Sequence, residues 1–262
     1  EDNKGGQIDG NGRSTLVTFN ASIEGRNITR AMSPMKTGIQ SQIFAYDANH
    51  SDPINQSFAD GTYITTSPGV LAGNNGYKMY LPNGIYDFYA VSDNYSTIPP
   101  SFINGESEFL FDGIDYLWWK SKEQDVTSSQ INMPIIFLHA ATQIVFNVTE
   151  GEGIQLQKLL FAHITPPIPG AKMNLSTGVI PPATEYGKAD KMGINSFTAQ
   201  YIMLPIQTTT PMTLTLEVMV DNESVSRIYT VNVPVPNGEL KAGNSYLFEA
   251  VIDGNSISFP TV

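Results

Sequence analysis

The sequence contains no cysteine, and this absence excludes disulfides, thiolate metal sites and a cysteine nucleophile at once. Charged residues are also scarce, at 15% of the chain against roughly 25% in typical soluble domains. Helices with solvent faces rich in glutamate and lysine are therefore few. Without disulfides, any stability of the chain must come from packing alone. The sequence also has no apolar run of membrane-spanning length.

Basic residues are the scarcer of the two charge types. The chain has 14 lysines and arginines against 25 aspartates and glutamates, which gives a net charge of -11. Nucleic-acid affinity comes largely from basic side chains that neutralise phosphates, and the sequence has no run of such residues. The composition therefore excludes a nucleic-acid partner.

What the sequence does contain is apolar residues in short alternating segments. Hydrophobic residues make up 41% of the chain and aromatic residues 10%, so there is ample material for a core. The segments are bounded by Gly, Pro, Asn and Asp, a pattern typical of half-buried antiparallel strands, and Leu16–Ile23 is the first of them. No segment keeps a 3.6-residue period over three turns. The pattern predicts an all-β chain of two tandem antiparallel β-sandwich domains.

Turn residues refine this prediction at two places. Asn83-Gly84 lies between the apolar segments 77–81 and 85–91, and such a pair favours positive φ in a tight hairpin. Asp221-Asn222 is a second candidate hairpin turn, between the segments 212–220 and 226–233. We expect each of the two pairs to join neighbouring strands.

Domain boundaries follow from changes in composition. Residues 1–13 are polar and rich in glycine, which predicts a flexible leader, and the polar stretch 120–130 predicts a linker. We expect an N-terminal sandwich over residues 14–130 and a C-terminal sandwich over residues 131–262. The second sandwich would open with one long strand, Met133–Val148. The Pro- and Gly-rich span 165–193 is expected to be irregular.

A search for catalytic or metal-binding residues finds none. His139 and His163 lie in apolar strands and could bind a metal if both faced one site, but no carboxylate lies beside either at ligand spacing. The sequence favours hydrogen-bonded structural histidines, and a solvated His50. Glu106, Glu108 and the acids between positions 112 and 115 fit solvated turn residues. With no nucleophile elbow and no phosphate loop, we expect no enzyme, no metal and no cofactor.

Trp118 and Trp119 are the candidate ligand-binding residues. Exposed aromatic rings stack on the apolar faces of sugars. Adjacent residues of a strand face opposite sides, so at most one of these two rings would be displayed. The alternative is a pair of core aromatics beside the linker.

Six phrases, taken in order, resemble the fimbrillins, the subunits of type V pili that Gram-negative anaerobes of the gut and mouth carry as secreted lipoproteins. Together the phrases span residues 14–259. They are Leu16-Val17-Thr18-Phe19 followed by Ile28-Thr29-Arg30; Leu81-Pro82-Asn83-Gly84-Ile85-Tyr86-Asp87-Phe88-Tyr89-Ala90-Val91-Ser92; Asp115-Tyr116-Leu117-Trp118-Trp119; Phe137-Leu138-His139-Ala140-Ala141; Tyr201-Ile202-Met203-Leu204-Pro205; and Leu240-Lys241-Ala242-Gly243-Asn244-Ser245-Tyr246-Leu247-Phe248.

The resemblance implies two transthyretin-like β-sandwiches, export as an outer-membrane lipoprotein to the cell-surface fimbria, and assembly into a filament. Glu1 would then follow a lipid-bearing cysteine, and that lipid anchor would be the one contact with a membrane. In the family an Arg-specific protease removes the first strand. The matching position here is Arg30, with Arg26 as the alternative, unless both are ordinary solvated arginines of a turn.

Assembly would then be strand replacement, because a sandwich without its first strand offers unpaired backbone groups and apolar pockets to a segment of another subunit. The candidate donor segment is the carboxy-terminal one, with Ile257, Phe259 and Val262 as its apolar residues. A plain terminal edge strand is the alternative. The sequence thus predicts a stalk, tip or anchor subunit of a fimbria. A carbohydrate- or protein-binding surface lipoprotein that meets a host glycan or protein is the second hypothesis.

Overall fold

The computed structural model describes residues 14–26, 31–49 and 56–259. Within them the chain is built from strands, which confirms the all-β prediction, and the helical content is two short 3₁₀ turns at Asn74–Gly76 and Pro236–Gly238. No helix of these residues is long and apolar enough to cross a membrane. The predicted leader 1–13 and His50 lie outside the described residues.

The first eleven strands run from Ser14 to His139. They are β1 (Ser14–Glu24), β2 (Met32–Pro34), β3 (Gln40–Asp47), β4 (Ala59–Ser67), β5 (Val70–Gly73), β6 (Met79–Pro82), β7 (Gly84–Ser92), β8 (Phe102–Ile103), β9 (Glu106–Ser107), β10 (Leu117–Val126) and β11 (Gln130–His139).

The remaining strands run from Thr142 to Ser258. They are β12 (Thr142–Glu150), β13 (Leu156–Ile164), β14 (Asp190–Lys191), β15 (Gly193–Asn195), β16 (Thr198–Met203), β17 (Ile206–Gln207), β18 (Met212–Val220), β19 (Arg227–Val233), β20 (Glu239–Leu240), β21 (Ser245–Asp253) and β22 (Ser256–Ser258). Between Ile164 and Asp190 the described chain has only isolated bridges, in agreement with the irregular span expected there.

The strands form two compact units. The first comprises the described residues up to Leu110, with Ile114–Ala140 and Lys172–Ile180. The second comprises Phe111–Gly113, Ala141–Ala171 and the described residues from Pro181 onwards. The chain therefore leaves the first unit at Phe111–Gly113 and again at Ala141–Ala171, and it returns to the unit each time.

The first unit is a sheet in the order β11-β10-β7-β3-β4-β5-β1-β2, with β6 also paired to β1. Because β11 pairs with β1 as well as with β10, the sheet closes on itself. The alternating apolar residues of these strands turn inward and form one core. Its largest fully buried side chains include Phe19, Phe88 and Phe137.

The second unit consists of a five-stranded sheet, β15-β16-β12-β21-β22, a four-stranded sheet, β14-β13-β18-β19, and the short pair β17-β20. Alternation is regular here: every second residue of β18, from Met212 to Val220, is buried. These residues share a single core with Phe146 and Ile252 of the five-stranded sheet.

Both units join an early strand to a late one by a parallel ladder. β1 pairs with β11 in parallel over eight residue pairs, from Leu16 with Gln130 to Ile23 with Phe137. β12 pairs with β21 in parallel over eight pairs, from Gln143 with Ser245 to Glu150 with Ile252. The sequence predicted antiparallel sheets throughout, and these two ladders are exceptions, because the pairing of strands so distant in sequence leaves no local pattern.

The predicted division of the chain inside residues 120–130 does not match these units. The stretch predicted to be a linker is largely strand β10, whose polar residues Lys120 to Asp125 lie at a bulged, solvated position opposite β7. The predicted strand Met133–Val148 is two strands, broken at Ala140 and Ala141, and its first half, β11, belongs to the first unit. A strand that exposes one face to solvent is as rich in polar residues as a linker, so composition alone does not distinguish the two.

The two predicted hairpins have opposite outcomes. Asp221 and Asn222 both have positive φ, and β18 and β19 pair on either side of them, so this hairpin is confirmed. The Asn83-Gly84 hairpin is wrong: β6 pairs with β1, whereas β7 pairs with β3 and β10. Partners brought from elsewhere in the chain outcompete the local turn at this position.

Candidate functional site

The first strand, β1, lies in the middle of its sheet and not at an edge. On one side it forms the parallel ladder with β11. On the other side it is antiparallel to β6 at residues 14–17, to β5 at Phe19 and Asn20, and to β2 at residues 22–24. Loss of β1 would therefore leave unpaired backbone groups on both walls of the vacated groove.

The inward side chains of β1 belong to the core of the first unit. Val17, Phe19 and Ala21 are all buried. The Phe19 ring packs edge-on against Tyr63, with ring centres 5.2 Å apart, and against Phe88 at 6.1 Å. Burial of a Val or Phe side chain stabilises a fold by about 1.5–3 kcal/mol, so the groove has a strong apolar affinity for whichever strand fills it.

A buried polar cluster holds the chain where it leaves β1. The guanidinium of Arg26 donates to the carboxylate of Asp115, and both side chains are largely shielded, at 8% and 13% exposed. Oδ1 of Asp115 also lies 2.7 Å from Nδ1 of His139, and Oδ2 accepts a hydrogen bond of 2.8 Å from the amide of Asn94. The cluster thus ties the exit of β1 to the end of β11 and to the stretch before β10.

The electrostatics of the cluster agree with a tightly paired site. Burial by itself would raise the pKa of Asp115, but the hydrogen bond with His139 and the charge of Arg26 outweigh it, so the pKa is lowered. Burial lowers the pKa of Arg26 in spite of the opposing effect of Asp115. Asp115 therefore stays ionised in the folded protein and keeps its hold on Arg26.

The two candidate processing residues have different positions. Arg30 lies outside the described residues. Arg26 is not a solvated arginine of a turn, because its side chain is buried in the ion pair with Asp115. A protease needs its target arginine in an accessible extended segment, and the fold keeps Arg26 out of such a position.

The candidate donor segment is part of the second unit. Ile257 is buried in its core, and the Phe259 ring lies 6.2 Å from Phe146 and 6.4 Å from Phe248. β22 is the edge of its sheet and pairs with β21 through three residue pairs. Val262 lies outside the described residues. The segment is therefore packed in its own unit but held by a short ladder at an edge.

The two tryptophans are packing residues in this fold. Trp118 is 8% exposed, its indole N–H donates a 2.7 Å hydrogen bond to the carbonyl of Leu175, and a Cβ added at Gly178 would overlap its ring. Trp119 faces the opposite side and is half-buried against the core of the first unit. Trp118 therefore presents no open face for stacking.

The histidines and acids show what the sequence missed. His139 is a hydrogen-bonded structural histidine, and its partner Asp115 comes from the stretch before β10, 24 positions earlier in the chain. His163 lies beside the Phe161 ring, with ring centres 5.0 Å apart. Asp112 and Asp115 are not solvated turn acids, since the Asp112 carboxylate accepts the backbone N–H of Leu204 and burial raises its pKa to about 6. Within the described residues no three His, Asp or Glu side chains are grouped to hold a metal.

Comparison with known families decides what kind of protein carries this architecture. The sequence model of the fimbrillin-like family matches residues 29–262. The chain belongs to the fimbrillin-like family. This membership confirms the resemblance drawn from the six phrases, and it supports a surface fimbrial role for the fimbrillin-like protein. No curated protein sequence matches the chain significantly.

Solved structures show that the fold recurs over more than nine tenths of the chain. A candidate cell adhesion protein from Bacteroides uniformis is similar with a TM-score of 0.68 at 17% identity, over 93% of this chain and 95% of that one. A candidate cell adhesion protein from Bacteroides ovatus gives 0.66 at 15% identity, over 95% and 96%. A fimbrial protein from Bacteroides ovatus gives 0.50 at 11% identity, over 93% of this chain and 50% of that one. At such identities the likeness shows the fold.

Proposed function

We propose that this fimbrillin-like protein is a structural or tip subunit of a surface fimbria that assembles by strand exchange after proteolysis releases β1. The observation that carries the proposal is the position of β1 between β11 on one side and β6, β5 and β2 on the other. Loss of a strand at the edge of a sheet would expose the backbone groups of only one neighbouring strand. A central strand leaves a groove that only another strand can fill completely.

The replacement strand would meet two kinds of unsatisfied surface. Each wall of the groove presents backbone N–H and C=O groups, and unpaired groups of this kind are costly away from water. Its floor presents the apolar surface now covered by Val17, Phe19 and Ala21. An extended segment with apolar residues at alternate positions satisfies both, which is the physical basis of β-strand addition.

Arg30 is the processing residue of this proposal. A cut after Arg30 would separate the segment of β1 and Arg26 from the rest of the chain covalently, and this fragment would then be held only by the β1 ladders and by the cluster around Asp115. A cut after Arg26 would require that cluster to open first. We therefore place the Arg-specific protease at Arg30, with Arg26 reached only in a partly unfolded chain.

The segment around Ile257 and Phe259 is the proposed donor, because β22 is held in its sheet by only three residue pairs. Among the strands of that sheet only β15 has a ladder as short. Other pilus subunits are the proposed partners, and the protein reaches the cell surface as an outer-membrane lipoprotein. The two compact units are proposed to be two domains of the transthyretin-like type.

Digestion with an Arg-specific protease tests the proposal. We expect one early cut, a fragment that ends at Arg30, and oligomers that survive detergent once the fragment is lost, as measured by mass spectrometry and gel electrophoresis. The matched control is Arg30→Gln, which should stay monomeric. A chain that loses the fragment and remains a folded monomer would contradict assembly by strand exchange.

A non-polymerising surface lipoprotein that binds a carbohydrate or a protein is the second candidate function. Its support is a set of exposed large side chains in the stretch between β7 and β10: Tyr95 is 64% exposed, Ile98 69%, Ile103 75% and Phe109 62%. Exposed apolar surface of this density is typical of interaction sites. A glycan array and a panel of host surface proteins, probed with the wild-type chain and with Tyr95→Ala and Phe109→Ala, would test it. Absence of any ligand for the wild-type chain would rule this function out.

A further inference from the structure

Strand pairing on one side of β1 is interrupted near Thr18. β6 pairs with β1 as far as Val17, and β5 begins to pair with it at Phe19. The stretch between β5 and β6 contains the 3₁₀ turn Asn74–Gly76, and in the described part of the chain this stretch forms no ladder with β1. The space between β1 and this stretch is therefore not closed by backbone pairing.

A cavity of about 290 Å³ lies beside this interruption. β1 contributes residues 16–18 to its wall, and the rest comes from Tyr63, from the end of β5 and from residues 76–78. Protein interiors contain few voids larger than a water molecule, and a cavity of roughly 150 Å³ is enough to hold benzene. The space here therefore suits a ligand of about two fused rings.

Two tyrosine rings give the cavity an aromatic wall. The rings of Tyr63 and Tyr77, both lining residues, meet edge to face with their centres 5.8 Å apart. Tyr77 packs closely against two glycines: a Cβ added at Gly61 would lie 2.1 Å from its ring, and one at Gly73 would lie 1.9 Å from its carbonyl oxygen. Close packing thus fixes the wall, and its rings favour contacts with another aromatic ring.

The hydroxyl of Tyr63 has hydrogen-bonding capacity that the fold does not use. Tyr63 is 3% exposed, and its hydroxyl oxygen is buried without a hydrogen-bond partner among the described residues. The backbone N–H of Met79 is near this oxygen but outside hydrogen-bond geometry. Burial raises the pKa of Tyr63, so the hydroxyl stays neutral and can both donate and accept. A buried polar group without a partner is destabilising, so a ligand that supplies one is favoured.

The lining of the cavity favours a neutral ligand. Lys78 is the one charged residue among those that line it, and Lys78 is exposed to solvent. The buried lining residues are Val17, Tyr63 and Leu71, and none of them can pair with an ionised group. Burial of a charge without a partner is costly, so an ionised ligand is disfavoured.

We propose that this cavity binds a neutral aromatic molecule of about two fused rings that carries one N–H or hydroxyl group. The rings lie against Tyr63 and Tyr77, and the polar group forms a hydrogen bond with the hydroxyl of Tyr63. The ligand contacts both β1 and the stretch between β5 and β6, the segments whose pairing is interrupted. The inference concerns the uncut chain with β1 in place, and it does not depend on strand exchange.

Equilibrium dialysis of the uncut full chain against three probes tests the proposal. Indole carries an N–H group, indene has a similar two-ring shape without it, and indole carboxylate carries a charge. We expect indole to bind with a dissociation constant below about 1 mM, which is within reach of ligands of this size. Indole carboxylate should bind at least about tenfold more weakly than indole, because the buried wall offers its charge no partner.

Tyr63→Phe tests the hydrogen bond, because it removes the hydroxyl and keeps the ring. It should weaken the binding of indole about threefold to tenfold, the effect of one hydrogen bond, and leave that of indene within about twofold. Tyr86→Phe is the matched control. Tyr86 is buried in the same unit and its hydroxyl donates to the carbonyl of Pro82 at 3.1 Å, but Tyr86 does not line the cavity. This variant should bind both probes like the wild type.

Val17→Phe tests the location of the ligand, because it places a larger side chain in the wall of the cavity. It should weaken the binding of indole and indene at least about tenfold. Saturating indole should raise the melting temperature of the wild type by about 1–3 °C and leave that of Val17→Phe unchanged, since a ligand stabilises only the state that binds it. The same melting curves show whether the variant is folded.

Several results would overturn the proposal. One is a wild-type chain that does not bind indole, or that binds indole carboxylate as tightly. Another is a Tyr63→Phe variant that weakens indole and indene equally, or that has no more effect on indole than Tyr86→Phe has. A folded Val17→Phe variant that binds indole like the wild type would place the ligand elsewhere. If Val17→Phe does not fold, the comparison of Tyr63→Phe with Tyr86→Phe decides.

Discussion

Nδ1 of His139 lies 2.7 Å from Oδ1 of Asp115, the carboxylate that also pairs with the buried guanidinium of Arg26. His139 ends β11, Arg26 follows β1, and the two strands are partners in the parallel ladder. The carboxylate of Asp115 therefore binds one residue at the end of β11 and one just after β1, the two strands of that ladder.

Removal of this carboxylate should loosen β1. Asp115→Asn removes the carboxylate charge that pairs with the buried guanidinium of Arg26, and loss of one member of a buried pair costs about 3–5 kcal/mol. We expect the free energy of unfolding in urea to fall by about 2–4 kcal/mol, since both side chains keep some exposure. Protease cutting at Arg26 should become faster as well.

The control for that variant is Glu106→Gln, which removes the exposed pair with Lys172 in the same unit. Exposed pairs contribute little, so its free energy of unfolding should change by no more than about 0.5 kcal/mol. If Asp115→Asn is as mild as the control, the cluster does not hold the exit of β1.

Asp112 predicts a dependence of stability on pH. Burial raises its pKa from 3.8 to about 6, the neighbouring charge of Asp190 adds to this, and the hydrogen bond from Leu204 opposes it. The pKa of Asp112 is higher in the folded protein than in the unfolded one, so its contribution to the free energy of unfolding is complete below pH 3.8. That contribution is lost as the pH rises through about 6. We expect Asp112→Asn to be more stable than the wild type at pH 7.5, on the order of 1–3 kcal/mol, with the difference vanishing near pH 4.

Melting curves of both proteins between pH 4 and pH 8 would measure this difference. The side-chain amide oxygen that Asp112→Asn introduces can still accept the N–H of Leu204, so the substitution removes the charge and keeps the acceptor. The exposed Glu152→Gln of the same unit serves as the control and should leave the pH profile unchanged. A pH-independent gap between the wild type and Asp112→Asn would show that burial of the charge is not the cause.

Trp118 should prove to be a stability residue. Trp118→Ala removes a ring packed against Gly178 and leaves the Leu175 carbonyl without its donor, so we expect a loss of about 3–5 kcal/mol in the free energy of unfolding. Tyr95→Ala, at an exposed ring, should cost less than about 0.5 kcal/mol. Urea denaturation followed by circular dichroism measures both, and a stable, folded Trp118→Ala protein would contradict the packing role.

The proposal of two domains predicts two separable unfolding transitions. Phe19→Ala removes a ring from the first core, and Leu216→Ala opens a cavity in the second; each should cost about 2–5 kcal/mol. In calorimetry we expect each variant to shift one transition and leave the other within about 1 °C, since distant sites act independently. A single transition that both variants shift equally would show one cooperative unit.

Local chemistry by itself determines much of this protein. Alternation of apolar residues predicts β1, β18 and β19 close to their observed bounds, since the two-residue period of a strand appears directly in the sequence. The Asp221-Asn222 hairpin also follows from the sequence, because both residues adopt positive φ and the strands on either side pair with each other.

Partner choice was decided by the tertiary structure alone. The same turn chemistry at Asn83-Gly84 fails, because β6 pairs with β1 and β7 pairs with β3 and β10. The polar stretch 120–130 has the composition of a linker, although most of it belongs to the solvent-exposed part of β10. Asp115 has the sequence context of a solvated acid, and only the arrival of Arg26 and His139 from distant positions makes it a buried anchor. Sequence period determines which face of a strand is buried, but the free energy of pairing depends on every strand that competes for the same edge, and that competition takes place only in the folded chain.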